Sequence, residues 1–158
     1  MSKRHVSVIL SLLLLLCATS AIAKSHVPKS NTRAAIKAYV KSAANVVAKN
    51  GPSCETFKSK DWMAGDYYIS VSGPDDRVIC HPTASMIGKS MADIVDANGK
   101  KVGLELKVAA EKKGGGWVSY VWPRPGQTTP VPKTSYAMHV KGPDGKWYRL
   151  TGGGYELK

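Results

Sequence analysis

Trp122, Lys133 and Tyr136 are residue types that together can recognise a small anion. Lys133 stands in an otherwise apolar and aromatic stretch. A lysine in such a place either snorkels its ammonium to water or offers the charge to a bound anion. Tyr120 and Trp122 fall on one face of an alternating segment, and Tyr136 sits on the next segment, within reach across neighbouring strands. An aromatic wall with one cation and phenol hydroxyls suits a small carboxylate. Core packing of a sheet face is the alternative reading of the same residues.

Other chemistries fit the sequence poorly. Gly88-Lys89-Ser90 looks like the end of a phosphate-binding loop, but the leading glycine of G-x-x-x-x-G-K-S would stand at position 83, which is Thr83. No G-x-S-x-G nucleophile elbow occurs. The 4 histidines, His5, His26, His81 and His139, lack the paired spacing of a zinc site. His81 beside Cys80 comes nearest to one. Asp75-Asp76 follows Gly73-Pro74 and reads as turn chemistry rather than as a catalytic carboxylate pair. No nucleophile–base arrangement emerges, so the chain reads as a non-enzyme with no cofactor and no metal.

Strands must carry the candidate residues. Residues 117–122 alternate, with Val118, Tyr120 and Trp122 on one face and Trp117, Ser119 and Val121 on the other. Residues 123–132 hold four prolines and a glycine and read as a rigid loop. Strands are expected at 134–140 and 147–151, the second running into three glycines before Tyr155. Upstream, 67–72 and 77–81 form a hairpin around Gly73-Pro74-Asp75-Asp76. Ile36, Val40, Ala43 and Val47 lie on one stripe of a helix over 32–49, capped by Ser30 or Asn31 and stopped by Asn50-Gly51-Pro52. Residues 54–65 read as a loop anchored by Phe57 and Trp62, 83–98 as a mixed connection, and 100–113 as a second helix. The order implies an α+β fold, an antiparallel sheet packed on a helix.

The 158 residues suit one domain, and 43% hydrophobic with 22% charged residues argues against a disordered chain. Lys3, Arg4 and His5, an apolar run over 6–16 and an Ala21-Ile22-Ala23 site have the layout of a signal peptide, residues 1–23, leaving a domain over 24–158. The apolar run is short for a membrane span. Cleavage after Ala23 takes the formal net charge from +12 to +10 by removing Lys3 and Arg4. The remaining lysines are scattered and the chain is exported, so the charge reads as a solvated surface attractive to anionic small molecules rather than as a nucleic-acid site. Cys54 and Cys80 remain, an even pair that reads as one disulfide in an oxidising compartment, with two buried thiols as the alternative. The expectation is a periplasmic or secreted protein with no transmembrane segment in its mature chain.

Seven landmarks in order between residues 66 and 155 resemble the single Cache domain, type 2, of bacterial extracytoplasmic sensors. They are Asp66-Tyr67-Tyr68-Ile69-Ser70-Val71, Val78-Ile79-Cys80-His81-Pro82, Ile87-Gly88-Lys89-Ser90, Asp96-Ala97-Asn98-Gly99-Lys100, Gly116-Trp117-Val118-Ser119-Tyr120-Val121-Trp122-Pro123, Pro132-Lys133-Thr134-Ser135-Tyr136 and Gly153-Gly154-Tyr155. The resemblance implies a PAS-like fold, a long N-terminal helix on a twisted antiparallel sheet with a short helical connection and a small-molecule pocket. It implies ligand sensing rather than catalysis, with a small organic acid or similar metabolite as ligand. It adds His81 and Tyr68 to Trp122, Lys133, Tyr136 and Tyr120 as candidate ligand-binding residues. The expected role is a stand-alone exported binding protein linked to signal transduction or chemotaxis. The alternative is an envelope protein that docks to a membrane sensor and has no ligand of its own.

Overall fold

The computed structural model describes residues 25–157. The expected signal peptide and its cleavage site lie outside the described residues. The first helical stripe forms α1 (Arg33–Asn50), which buries Ile36, Val40, Ala43 and Val47. Its cap is Thr32, not Ser30 or Asn31: the extended Thr32 accepts the Ala35 N–H with Oγ1. Asn31 instead donates Nδ2 to the Tyr155 carbonyl at 2.7 Å, tying the helix entrance to the end of the last strand. Gly51, at φ +78°, ends the helix in a conformation that favours glycine.

Residues 54–65 hold more helix than the sequence pattern predicts. Ser53 accepts the Thr56 N–H and caps a short helix, α2 (Cys54–Lys58). Phe57 and Trp62 are buried, as anchors should be. Cys54, the first residue of α2, is disulfide-bonded to Cys80, with the two Cα atoms 5.1 Å apart.

Five strands form one antiparallel sheet: β1 (Ile69–Ser72), β2 (Val78–Cys80), β3 (Gly116–Pro123), β4 (Pro130–Lys141) and β5 (Trp147–Tyr155), in the order β2-β1-β5-β4-β3. Two strands are longer than expected. β4 starts at Pro130, inside the segment read as a loop. Pro130 and Pro132 are tolerated because the β4–β5 ladder stops at Lys133–Tyr155; beyond it only the Glu156 N–H reaches across, to the Pro132 carbonyl at 2.9 Å, and that bond needs no donor from β4. β5 continues through Gly152, Gly153 and Gly154. A Cβ on Gly152 would come within 2.8 Å of Val40 on α1, and one on Gly153 within 2.2 Å of Ser135 Oγ on β4. The glycines are where α1 and β4 close on β5, not a tail.

The sheet is covered on both faces. α1 packs on β4 and β5 over Tyr136, Leu150, Val71 and Ile69. The opposite face is covered by α3 (Val102–Glu111) and the 83–98 segment, which folds as two 3-10 turns at Ala84–Met86 and Met91–Asp93. Burial works to raise the Asp96 pKa, but N–H groups of Val121, Lys100 and Asn98 bond its carboxylate and hold it lower. That carboxylate ties the second connection to β3. Asp76 is more than turn chemistry: at φ 60° it pairs with Arg149 of β5 and Lys107 of α3, joining the β1–β2 turn to the covering layer.

Candidate functional site

Directly opposed residues of an antiparallel pair share a face. Tyr120 of β3 opposes Lys133 of β4, and Lys133 opposes Tyr155 of β5. The three side chains therefore lie in a row on the face away from α1. Ser135 opposes Gly153 one step along, and Ser70 of β1 opposes Thr151 of β5. This hydroxyl-rich strip is the floor of a small cavity of about 40 Å³. The roof is apolar: Met86 and Met91 from the two 3-10 turns, Ile94, and Val102 and Leu106 of α3. Tyr68, His81, Tyr120, Trp122 and Lys133 complete the lining.

Lys133 is only 3% exposed. It does not snorkel. Its ammonium donates to Tyr68 Oη at 2.7 Å and to Tyr155 Oη at 3.3 Å, and lies 4.0 and 4.6 Å from the centres of those two rings. Tyr155 in turn donates to the Pro123 carbonyl at 2.6 Å. Among the described residues no carboxylate forms an ion pair with Lys133. Burial pulls its pKa down to about 7, opposed weakly by the charge of Asp66. Asp66 itself pairs with Arg124, which also holds Glu156. Burial raises the pKa of Tyr68 far above its ordinary value and that of Tyr155 to about 12, so both phenols keep their protons.

His81 is neutral. Burial and then the charge of Lys133 lower its pKa to about 4. Its Nδ1 accepts the Thr83 N–H at 3.0 Å, which leaves the proton on Nε2 as a donor. Its ring stands edge-on to Tyr68 at 5.1 Å. A metal reading of Cys80-His81 fails here, since Cys80 is in the disulfide and Nδ1 is occupied. Among the described residues no group of three or more His, Cys, Asp or Glu is placed to hold a metal.

The structure thus gathers Tyr68, His81, Tyr120, Trp122 and Lys133 around one cavity. It does not bring Tyr136 there. Lys133 and Tyr136 are three apart on one strand and must point to opposite faces. Tyr136 is 1% exposed under α1, packed on Trp117 at 5.0 Å between ring centres, and its hydroxyl donates to the Gly114 carbonyl. Sequence reasoning missed Ser135, Ser70 and Thr151 of the lining, and Tyr155, which holds the Lys133 ammonium without lining the cavity. Ser135 was recoverable from strand parity, being two residues from Lys133; its Oγ lies 2.9 Å from Tyr120 Oη. Ser70 and Thr151 carry no sequence signal that sets them apart from other hydroxyl residues.

The arrangement presents one cation and several hydroxyl groups beneath an apolar roof, in a cavity that must widen to admit more than a few heavy atoms. The family model for single Cache domain 2 matches residues 15–156. The chain belongs to that family. The match begins inside the segment read as an export signal. Methyl-accepting chemotaxis protein McpP of Pseudomonas putida (strain KT2440) is 34% identical over 76 residues, 48% of this chain but 14% of that receptor. The chain therefore spans a small part of that curated relative. A solved periplasmic sensor domain of a chemotaxis protein is 33% identical, with a TM-score of 0.50 over 57% of this chain and 61% of that one. A Cache chemosensory domain solved to explain carboxylic acid recognition is 28% identical, with a TM-score of 0.50 over 78% of this chain and 72% of that one. The helices packed on a five-stranded antiparallel sheet are the Cache fold, and the PAS-like architecture implied by the sequence landmarks is the one observed. Among the described residues no helix is long and apolar enough to cross a membrane.

Proposed function

We propose that this Cache domain is an exported sensory module that binds a small organic acid in the cavity at Lys133 and serves signal transduction. One observation carries the reading: a buried lysine faces a cavity with phenol hydroxyls around it and, among the described residues, no carboxylate ion-paired to it. A buried charge without a counter-ion is costly. A ligand carboxylate would supply the missing charge and accept from Lys133, with Tyr68, Ser135 and the His81 Nε2–H as further donors. The carboxylic-acid-binding relative supports the ligand class, and the chemotaxis sensors support the signalling role.

The test is a thermal-shift screen of two- to six-carbon carboxylic acids and amino acids, followed by titration of Lys133→Met with each hit. A ligand present at a hundredfold excess over its dissociation constant raises stability by about 2.7 kcal/mol. Hits that Lys133→Met weakens by roughly ten- to a hundredfold are expected. Full affinity in a folded Lys133→Met would remove Lys133 from the site. If nothing binds, the chain reads instead as an envelope docking protein without a ligand.

A further inference from the structure

We infer that Met86 and Trp122 form the partition through which a ligand reaches the Lys133 cavity, and that Met86, its moving part, sets the length of acid accepted. The inference rests on the ligand reading above and assigns its specificity.

Met86 and Trp122 line the Lys133 cavity, and both also line a separate, wider groove on the protein surface. That groove runs between residues 83–97 and the β3–β4 connection, with Val95, Ala97, Gly126 and Thr128 among its walls. The two spaces meet at these two side chains. Trp122 is half-buried and borders both spaces.

The two differ in what holds them. Trp122 lies within β3, opposite Val131 of β4, and stands edge-on to Tyr120 at 5.9 Å between ring centres. It is a fixed wall. Met86 ends a single 3-10 turn. That turn is held at its start by the Thr83 N–H to His81 and beyond its end by the Gly88 N–H to the Val78 carbonyl. Between those anchors the backbone hydrogen bonds of 84–87 are local: Met86 N–H to Thr83, Ile87 N–H to Ala84, and Lys89 N–H to the Met86 carbonyl at 3.2 Å. Among the described residues no backbone hydrogen bond joins 84–87 directly to the sheet; Met86 is held by side-chain packing in the cluster with Val78 and Met91, and a methionine side chain has three rotatable bonds and adapts its shape readily. Rotating the Met86 side chain away from Trp122 would join cavity and groove without moving a strand.

The consequence is a length limit. An acid seated with its carboxylate at Lys133 has its tail under the apolar roof, of which Met86 is the part that borders the groove. A longer tail must displace Met86 into the groove.

The experiment titrates straight-chain acids from acetate to hexanoate against wild type, Met86→Ala and Met86→Phe, with Lys133→Met as control and circular dichroism to verify folding. In wild type, affinity should rise with chain length and then fall. Met86→Ala should move that optimum one to two carbons longer, with each newly admitted methylene adding roughly fourfold in affinity. Met86→Phe should move it shorter. An unchanged length profile in folded Met86→Ala and Met86→Phe, with Lys133→Met still weakening binding, would overturn the partition alone. Absence of binding by any acid to wild type would overturn the ligand reading and the partition together.

Discussion

Lys133 sits where its charge is costly in the empty domain and useful in the occupied one. Replacing it by methionine removes a buried cation with no carboxylate partner, so Lys133→Met should melt higher than wild type without ligand. The same change should lose a charge-assisted hydrogen bond to the acid, worth about 1.5–3 kcal/mol of affinity. A variant that is both less stable and unimpaired in binding would contradict this. The pH dependence follows from the lowered pKa of about 7 against the ordinary 10.5. Between those values the unfolded chain holds more protons than the folded one, so this group makes stability rise with pH across that window. Binding runs the other way. An anion favours the ammonium form, so affinity should fall as pH rises above about 7, approaching tenfold per unit. A flat affinity from pH 6 to 9 would show that the ammonium is not used. Tyr136 has the opposite role to the one its sequence position suggested. Tyr136→Phe should leave affinity unchanged and cost about 1 kcal/mol of stability, the worth of its buried hydrogen bond to Gly114.

The elements show what was legible in the sequence and what was not. α1 was visible because four apolar residues repeat on one helical stripe, and the β1–β2 hairpin because its turn residues are unambiguous. The end of β5 was hidden, because Gly152, Gly153 and Gly154 look like a loop until α1 and β4 are placed against them. The start of β4 was hidden by prolines that are harmless only where no neighbour needs a donor from them. Five of the six candidate residues converge, since types and family landmarks mark them; the error at Tyr136 came from reading two residues of opposite parity as one wall. Gly153→Ala tests the close approach of β5 to β4. A Cβ 2.2 Å from Ser135 Oγ and 2.8 Å from the Thr134 carbonyl must push the strands apart, at a cost of about 1–3 kcal/mol. Unaltered melting of that variant would mean the strands are looser than described. The disulfide ties α2 to β2. Its reduction should lower stability by about 3–4 kcal/mol on the chain-entropy account, and thiol labelling of the unfolded, unreduced protein should find neither Cys54 nor Cys80 free.

At the scale of the whole molecule, one sheet separates two jobs. The α1 face is packed core; the α3 face surrounds the cavity with polar side chains below and apolar ones above. The formal net charge, +12 for the full chain and +10 after cleavage at Ala23, adds a field that draws small anions, and their association should weaken as salt rises. Export is tested by mass spectrometry of the mature protein, which should begin at Lys24; material retaining residues 1–23 would contradict cleavage after Ala23. The most direct test of the ligand reading is proton uptake on binding. Calorimetric titration of the best acid at pH 7, in two buffers of different ionisation enthalpy, should show about half a proton taken up per acid bound, rising towards about one at pH 8, because the anion completes protonation of Lys133. Binding with no proton uptake at either pH, retained in Lys133→Met, would contradict the account.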